Sequence, residues 1–304
     1  MIVVAGEALV DLAVDGRGGL RAHPGGGPFN VARTLGRLGA PVTFIGRLSR
    51  DRFGERLRAA LATDGVDLGG IVEADDPTTL ALAEVDEDGA ARYRFYLKGT
   101  SAPGLTPADA LDRLPAAATA LHVGTLGLQL PPCADAVRAL TERLAGRALV
   151  FLDPNCRPGV GGSRAEVLAR LEPVLPRADV VKASEEDLAF LAAGEPPLDV
   201  ARGLLATGPR VVLVTRGAAG VAIVAADGIV EVPAPAIDVV DTIGAGDAFG
   251  GGFLAAWHEA RLGRDDLHGE ALEAAVRFAV RVAARTCERA GADPPRRAEI
   301  SATA

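Results

Sequence analysis

The stretch Asp241-Thr-Ile-Gly-Ala-Gly-Asp-Ala-Phe-Gly-Gly-Gly-Phe253 follows a short extended run and opens a predicted helix. Gly244 and Gly246 allow the backbone to turn sharply, with its N–H groups exposed at the start of that helix. The N-terminus of a helix attracts anions such as phosphate. Asp247 lies in the first turn, so its carboxylate comes close to the same anion site. Taken alone, a first-turn Asp could also be no more than a partner of the helix dipole.

A carboxylate beside a glycine-built anion site suits phosphoryl transfer. The N–H groups would hold the moving phosphoryl group, and Asp247 would accept the proton of the acceptor hydroxyl. The helix continues through Phe249, Phe253 and Trp257, which share one face, and we interpret Trp257 as core packing. Glycines at positions 250–252 are unfavourable inside a helix. They therefore predict that this helix approaches a neighbouring strand closely.

Other phosphate and nucleophile motifs are excluded by their spacing. The dinucleotide fingerprint requires glycine at position 249, where Phe249 stands. A P-loop requires Gly-Lys-Ser/Thr, and the only lysines of the chain, Lys98 and Lys182, lack that pattern. No serine is framed as Gly-x-Ser-x-Gly, and His258 has no second histidine four residues later. A nucleotide-binding site of a different design remains.

Short β-branched runs alternate with amphipathic stretches along the chain. The predicted strands are Ile2–Ala5, Val42–Ile45, Ala120–Val123, Ala148–Leu152, Val180–Lys182, Val211–Thr215 and Val221–Ala225. The predicted helices are Phe29–Leu38, Phe53–Thr63, Pro132–Leu144, Ser163–Leu171, Ser184–Ala192, Leu198–Ala206, Ala248–Ala260 and Leu272–Cys287. This alternation predicts an α/β protein with three αβα layers around a mostly parallel sheet.

Two segments, about residues 10–22 and 78–98, depart from this rhythm. The second alternates apolar and polar residues and contains Asp86-Glu-Asp-Gly89, which is typical of a hairpin turn. Period-two alternation predicts half-buried antiparallel strands. We therefore expect both segments to form a small β-sheet lid within a single domain spanning residues 1–304.

A second glycine-rich segment runs from Gly25 to Gly39 and feeds a predicted helix. The glycines at 25–27 could serve a turn alone. Together with Asp11 and Asn30, however, they suit close approach of the backbone to a polyol whose hydroxyl groups need polar partners. The sequence thus predicts a sugar-like ligand near the first strand.

Composition limits the remaining function classes. The 304 residues include 32 Lys+Arg and 40 Asp+Glu, a formal net charge of −8. This balance argues against a sequence-independent nucleic-acid binder, which needs a basic face. Three scattered cysteines are typical of a reducing compartment. The run Met1–Glu7 lacks a positive leader, and no apolar run reaches the ~18–20 residues of a membrane span. We expect a cytoplasmic protein without a membrane segment.

These segments resemble the ribokinase-like (pfkB) family of carbohydrate kinases. The resemblance rests on Gly25–Gly39 and on Asp241–Asp247, and it extends over essentially the whole chain. It includes Gly6-Glu-Ala-Leu-Val-Asp11, Asp153-Pro-Asn-Cys-Arg-Pro158, Val181-Lys-Ala-Ser-Glu-Glu-Asp-Leu188 and Val214-Thr-Arg-Gly-Ala-Ala-Gly220. The fructokinase and 2-keto-3-deoxygluconate kinase branches are the most similar.

The resemblance implies a role for each matching residue. Asp247 would be the catalytic base, Gly244, Ala245 and Gly246 the anion hole, and Arg157 a contact to substrate or phosphoryl group. The sugar would be held by Asp11, Gly26, Gly27, Asn30, Phe95, Tyr96, Asn155 and Asp247. ATP would contact Ser184, Thr215, Gly217, Gly220, Val280, Gly244 and Gly246. Asp187, shorter than the family's usual Glu, would reach Mg²⁺ through water, and Asp241 would help to hold a monovalent cation such as K⁺.

The resulting expectation is ATP-dependent phosphorylation of a hydroxymethyl group, with fructose as the first choice of acceptor. 2-Keto-3-deoxygluconate, ribose or a nucleoside are alternatives within the family. A sugar phosphate would require Arg92, Arg94 or Lys98 to face the pocket. A catalytically idle sugar-binding regulator is the alternative from another class, and Phe249 disfavours a nicotinamide-dependent dehydrogenase. The lid strands also predict a homodimer that pairs through the lid.

Overall fold

The apolar run Ile2-Val-Val-Ala5 forms a central strand in a computed structural model of the chain, which describes residues 1–14, 19–85, 91–156 and 162–301. The described strands are β1 (Ile2–Ala5), β2 (Leu9–Val14), β3 (Leu20–Gly25), β4 (Val42–Ser49), β5 (Ile71–Ala74), β6 (Leu80–Val85), β7 (Ala91–Tyr96), β8 (Ala120–Gly124), β9 (Leu149–Asp153), β10 (Val180–Ser184), β11 (Val211–Thr215), β12 (Val221–Ala225) and β13 (Gly228–Val232).

Nine of these strands form one sheet in the order β13-β12-β11-β10-β9-β8-β1-β4-β5. Strand β1 pairs in parallel with β4 on one side and with β8 on the other. Among the described strands of this sheet, antiparallel pairing is confined to one edge, where β12 pairs with β11 and with β13. The predicted, mostly parallel sheet is confirmed.

The described helices cover both faces of this sheet. They are α1 (Gly27–Arg37), α2 (Arg52–Thr63), α3 (Pro107–Asp112), α4 (Cys133–Leu144), α5 (Arg164–Leu171), α6 (Glu185–Leu191), α7 (Pro197–Leu205), α8 (Ala245–Glu259), α9 (Gly269–Cys287) and α10 (Arg297–Ser301). Along β1, Ile2 and Val4 enter the core beneath α1, α2, α8 and α9. Val3 and Ala5 enter the other core, beneath α3 to α7. This is the predicted three-layer arrangement.

Among the helices that the structure describes, none combines the length and the apolar character that crossing a bilayer would require.

A second, four-stranded sheet in the order β3-β2-β6-β7 confirms the predicted lid. Strand β3 runs to Gly25, three residues beyond the predicted lid segment, because its antiparallel pairing with β2 continues to Leu9 opposite Gly25. The lid therefore leads directly into the glycines that begin α1. The predicted hairpin turn Asp86–Gly89 lies outside the described residues.

Sequence periodicity missed four short elements, namely β5, β13, α3 and the five-residue helix α10. Strands β5 and β13 lie at the two edges of the large sheet, where partial exposure weakens the apolar pattern. Helix α3 has only six residues, although Thr106 caps it and Pro107 begins it. Helix α8 begins at Ala245, three residues before its predicted start, because Gly244 adopts a left-handed conformation with a φ of 78°. Asp247 remains in its first turn.

The glycines of α8 let this helix pack closely on the large sheet and on two helices, α1 and α9. A Cβ at Gly250 would lie 3.5 Å from His122 of β8 and from Phe151 of β9. At Gly251 it would lie 2.6 Å from Thr34 Cβ of α1, and at Gly252 it would lie 3.0 Å from Val282 Cβ of α9. The predicted close approach to a strand is thus one part of a wider constraint, because two of the three glycines face helices.

Replacing Gly251 with alanine should destabilise the protein by about 1–3 kcal/mol, because the added methyl group overpacks the contact with α1. The matched control is Gly203→Ala in α7, where no atom lies within 4 Å of the added carbon. Because alanine is the better helix residue, this control should raise stability by up to about 1 kcal/mol. Urea unfolding measures both free energies, and changes of equal sign and size would contradict the packing argument.

Candidate active site

A cavity of about 530 Å³ opens at the carboxyl ends of the parallel strands, under the lid. In open α/β sheets ligands bind at this end, where the strand order changes direction. Here that point is β1, which lies between β4 and β8. The predicted site residues that line the cavity are Asp11, Gly26, Gly27, Asn30, Phe95, Asn155, Ser184, Asp187, Thr215, Gly244, Gly246 and Asp247.

Several predicted residues are not brought to this cavity. Tyr96 is 49% exposed, because consecutive residues of a strand point to opposite faces and Phe95 takes the cavity side. Val280 of α9 is buried in the hydrophobic core and does not line the cavity. Ala245, Gly217, Gly220 and Asp241 lie outside the lining as well. Arg157 lies outside the described residues.

Asp247 meets Asn30 across the start of α8. The Asn30 Nδ2 atom donates a 2.9 Å hydrogen bond to Asp247 Oδ2. The Asn30 Oδ1 atom is buried and has no hydrogen-bond partner among the described residues. Buried polar atoms normally have partners. This orphaned acceptor therefore fits a ligand hydroxyl that lies beside the Asp247 carboxylate.

Burial raises the pKa of Asp247 to about 7. The hydrogen bond from Asn30 and the charge of Lys182 lower this pKa, whereas the charges of Asp153 and Glu7 raise it. A carboxylate with a pKa near neutrality is suited to accept and return a proton at physiological pH.

Gly244 and Gly246, for which the sequence predicts an anion cradle, lie where α8 begins and line the cavity together with Asp247. The N-cap residue Gly244 supplies no capping side chain. The amides of the first turn of a helix have no acceptor within the helix itself. Behind the cradle, a Cβ at Gly244 would lie 2.6 Å from Ala292 Cβ, which leaves room for glycine only. Backbone N–H groups at a helix start, open to a cavity, constitute an anion site.

Lys182 lies against the cradle, and sequence reasoning gave it no role. Its Nζ atom would be 2.9 Å from a Cβ at Gly246, and it donates a 2.9 Å hydrogen bond to Asp153 Oδ2. Burial lowers the pKa of Lys182, but the charges of Asp153, Asp187 and Asp247 raise it overall, above the ordinary value. The side chain therefore stays cationic. The feature of the sequence that could have identified it is a lysine within the predicted strand Val180–Lys182.

Asp187 has a structural task at the cavity wall. With Ser184 it forms a capping box at the start of α6, in which Oδ2 accepts from the Ser184 amide at 2.8 Å. Its Oδ1 accepts a 2.7 Å hydrogen bond from the amide of Cys156, which fixes the turn after β9. Both oxygens thus already hold protein donors. In the residues that the structure describes, no three acidic, histidine or cysteine side chains cluster as a metal site.

Asp241 joins two loops behind the cradle. Its Oδ1 accepts from the amide of Ile243 at 3.0 Å, and its Oδ2 accepts from the amide of Gly291 at 2.8 Å. The amides of Val240 and Asp241 in turn donate to the carbonyl oxygen of Cys287. The segment before α8 and the segment after α9 are therefore held together.

The wall of the cavity next to the lid is acidic. Burial raises the pKa of Asp11 to about 6, and Gly25 on the adjacent strand leaves room for its carboxylate. Glu7, which the sequence analysis quoted without a role, is 3% exposed and also lines the cavity. Burial raises the pKa of Glu7 to about 7, against the lowering effect of its hydrogen bonds.

His122 of β8 is buried beside this site. Its ring stacks on Phe151 with centroids 5.5 Å apart. Burial, together with the charge of Lys182, lowers the pKa of His122 to about 3. The neutral ring does not line the cavity.

Comparison with known proteins identifies the same family over nearly the whole chain. The family model described as pfkB family carbohydrate kinase matches residues 1–298. A fructokinase of Rhizobium leguminosarum bv. trifolii is 36% identical over 259 residues, which cover 84% of this chain and 79% of that protein. Fructokinase-1 of Oryza sativa subsp. japonica is 34% identical over 310 residues, covering 99% and 95%.

A solved structure shares the fold. It is the fructokinase of Vibrio cholerae, determined with fructose, ADP and a calcium ion bound. The two structures superpose with a TM-score of 0.88 at 29% identity, covering 99% of this chain and 97% of that one.

Replacing Asp187 with alanine should destabilise the protein by about 2 kcal/mol or more. Loss of a helix cap costs ~1 kcal/mol, and a buried N–H left without an acceptor costs ~1–3 kcal/mol. The exposed neighbour Glu186, in the same first turn, is the control, and Glu186→Ala should change stability by less than about 1 kcal/mol. Equal effects in urea unfolding would show that the Asp187 contacts are dispensable for folding.

Proposed function

Because this chain belongs to the pfkB family of carbohydrate kinases, we propose that it transfers the γ-phosphoryl group of ATP to a hydroxymethyl group of fructose. The observation that carries this proposal is the pair formed by Asp247 and Asn30. A carboxylate and an unpartnered acceptor lie side by side at the mouth of an anion cradle. One fructose hydroxyl can therefore be oriented at the point where a terminal phosphate would lie.

The reaction needs little covalent chemistry from the protein. The fructose oxygen attacks phosphorus, the bond to the bridging oxygen of ADP breaks, and Asp247 takes the hydroxyl proton. Asn30 holds the Asp247 carboxylate in place through its 2.9 Å hydrogen bond. Alignment of the hydroxyl with the phosphoryl group supplies much of the rate enhancement, because it replaces a chance encounter.

Charge developing on the phosphoryl oxygens would be met by fixed groups. The start of α8 lines the cavity through Gly244, Gly246 and Asp247, and the buried Lys182 ammonium lies against Gly246. Such pre-oriented donors stabilise a transition state more than water does. The contact predicted for Arg157 adds to this proposal and stays a prediction.

The charge of the cavity wall favours a neutral acceptor over a sugar phosphate. Of the described lining residues, Glu7, Asp11, Asp187 and Asp247 are acidic, and Lys182 is the single basic side chain. Lys182 is already paired with Asp153. A second phosphate on the sugar would therefore meet carboxylates, which repel it.

A reaction with ATP requires a divalent metal ion. The oxygen atoms of the cavity wall suit an ion that binds together with the nucleotide. Mg²⁺ characteristically keeps several waters and takes few protein ligands besides phosphate oxygens. Asp187, whose oxygens hold amide donors, suits contact through water. When bound, Mg²⁺ neutralises charge on the phosphates of ATP. For K⁺, Asp241 and the loops that it joins offer oxygen atoms behind the cradle.

The lid would exclude water, which competes with the sugar as a nucleophile. Phe95 and Asp11 approach the cavity from the lid side. The outer strands of the lid, β3 and β7, each carry an exposed apolar residue, Leu20 and Tyr96. Exposed strand edges of this kind support the proposal that two copies of the chain pair through their lids.

A panel of acceptors tests the proposed substrate. With saturating ATP and Mg²⁺, ADP release should be fastest with fructose and at least about tenfold slower with ribose, 2-keto-3-deoxygluconate, nucleosides or fructose 6-phosphate. A coupled ADP assay measures all of them. A higher kcat/KM for any other acceptor would replace fructose as the substrate, and no ADP release with any sugar would favour a binding protein.

Replacing Asp247 with asparagine should lower kcat about 10²–10⁴-fold, because the base that accepts the hydroxyl proton is lost. Isothermal titration should still show binding of fructose and of ATP. The exposed Asp227 in the turn after β12 is the control, and Asp227→Asn should leave kcat unchanged. Near-normal turnover in Asp247→Asn would remove Asp247 from the mechanism.

The rate should depend on pH through Asp247. Since its pKa is about 7 and only the ionised form accepts a proton, kcat/KM should fall about tenfold per pH unit below 7 and level off above it. Initial rates with both substrates well below KM report this limb. The limb should vanish from the residual activity of Asp247→Asn, and a flat profile from about pH 5.5 to 8.5 in the unaltered protein would contradict the assignment.

A further inference from the structure

Glu7 follows strand β1 and points its carboxylate into the protein beside the cavity. It is 3% exposed, although it is a charged residue at the end of a central strand. Ionised carboxylates are buried only where donors or cations satisfy them. The described residues give Glu7 no salt bridge, since the nearby Lys182 pairs with Asp153.

Three hydrogen-bond donors converge on the Glu7 carboxylate instead. Its Oε1 accepts hydrogen bonds from the Thr125 hydroxyl and from the Gly27 amide, the latter at 3.2 Å. Its Oε2 accepts from the Gly127 amide at 2.8 Å. One side chain thus joins the start of α1 to the turn 125–128 that follows β8.

For α1, Glu7 does the work of a capping residue. The N-cap position is Gly26, which has no side chain to offer, and its φ of 107° favours glycine. Glu7 reaches across from β1 to accept the Gly27 amide. A negative group at a helix start is favourable for the helix dipole. The positive end of α1 is therefore occupied by the protein itself, unlike the open start of α8.

For the turn 125–128, Glu7 holds a strained residue. Thr125 has a φ of 54°, which is unfavourable for a β-branched side chain. Its hydroxyl is fixed by Glu7, and its Cγ2 would lie 2.3 Å from a Cβ at Gly27. The turn and the helix start are consequently packed as one unit, and both line the cavity.

The start of α1, packed against the turn 125–128, is connected to Asn30 and Asp247. The amide of Asn30 donates to the carbonyl oxygen of Gly26 at 2.9 Å, within the first turn of α1. The Asn30 side chain then holds Asp247. A shift of the helix start would therefore move Asn30, which orients the acceptor hydroxyl together with Asp247, and would leave α8 in place.

We propose that Glu7 is a positioning residue for the sugar: its carboxylate fastens the start of α1 to the turn 125–128 and so fixes the wall that binds the acceptor. This inference rests on the proposed function, because it assigns that wall to fructose and the α8 cradle to ATP. It follows that loss of the Glu7 carboxylate weakens sugar binding and leaves nucleotide binding nearly intact.

Glu7→Gln is the most informative variant, because glutamine has the same size. The glutamine side chain has a donor NH₂ group in place of one carboxylate oxygen. In either orientation this NH₂ group faces at least one of the three groups that donate to Glu7. We expect KM for fructose to rise about tenfold or more and KM for ATP to stay within about twofold. Glu172→Gln, at an exposed position after α5, is the control and should change neither constant.

Hydrogen exchange gives a readout that does not depend on the substrate. In Glu7→Gln without ligands, amides in peptides covering residues 25–30 and 124–130 should exchange faster, and those of α8 and of the remaining described helices should not. If unaltered protein fails to phosphorylate fructose, the proposed function is wrong, but localised faster exchange still supports the role of Glu7 in fixing the wall.

Thr125→Val separates positioning from a general loss of folding, should Glu7→Gln prove unstable. It removes one donor, keeps the shape of the side chain and should raise KM for fructose in the same direction by a smaller factor. Unchanged exchange at both segments, or KM values for fructose and ATP that rise together with faster exchange throughout the protein, would overturn the proposal.

Discussion

The whole site depends on how closely α8 can approach its neighbours. Glycines at 250–252 remove the side chains that would hold the helix away from the sheet, α1 and α9. Gly244 likewise leaves room for Ala292 behind the first turn. With α8 in this position, Gly244, Gly246 and Asp247 line the cavity and Asp247 accepts a hydrogen bond from Asn30. Each of these glycines weakens the helix locally, and close packing of the mature fold compensates.

The two helices that begin at the cavity, α1 and α8, differ in how their first amides are capped. At α8 the N-cap residue Gly244 offers no side chain to the amides, and the adjacent Lys182 adds positive charge. At α1 a buried carboxylate already accepts the first amide. An anion is therefore attracted to one end of the cavity and discouraged at the other. This separation matches a reaction between a highly charged nucleotide and an uncharged sugar.

The sequence predicted the layers, most strands and helices, and the groups around Asp247, because these depend on local patterns. Hydrophobic period and glycine placement each act within a few residues of chain. The roles of Glu7 and Lys182 were missed, because their partners come from strands and turns distant in sequence. Tyr96 illustrates a different limit, since a shift of one residue in a strand decides which side chain faces the cavity.

The order of strands in the large sheet also bears on how the protein is made. Strand β1 lies between β4 and β8, and the segment around Ala292 backs the cradle. During synthesis the N-terminal parts leave the ribosome first. The apolar side chains of the early segments, which include Glu7 and Asn30, therefore remain exposed until α8 and the residues after α9 have been synthesised. Nascent chains halted before that point would hold no working catalyst and would depend on chaperones to avoid aggregation.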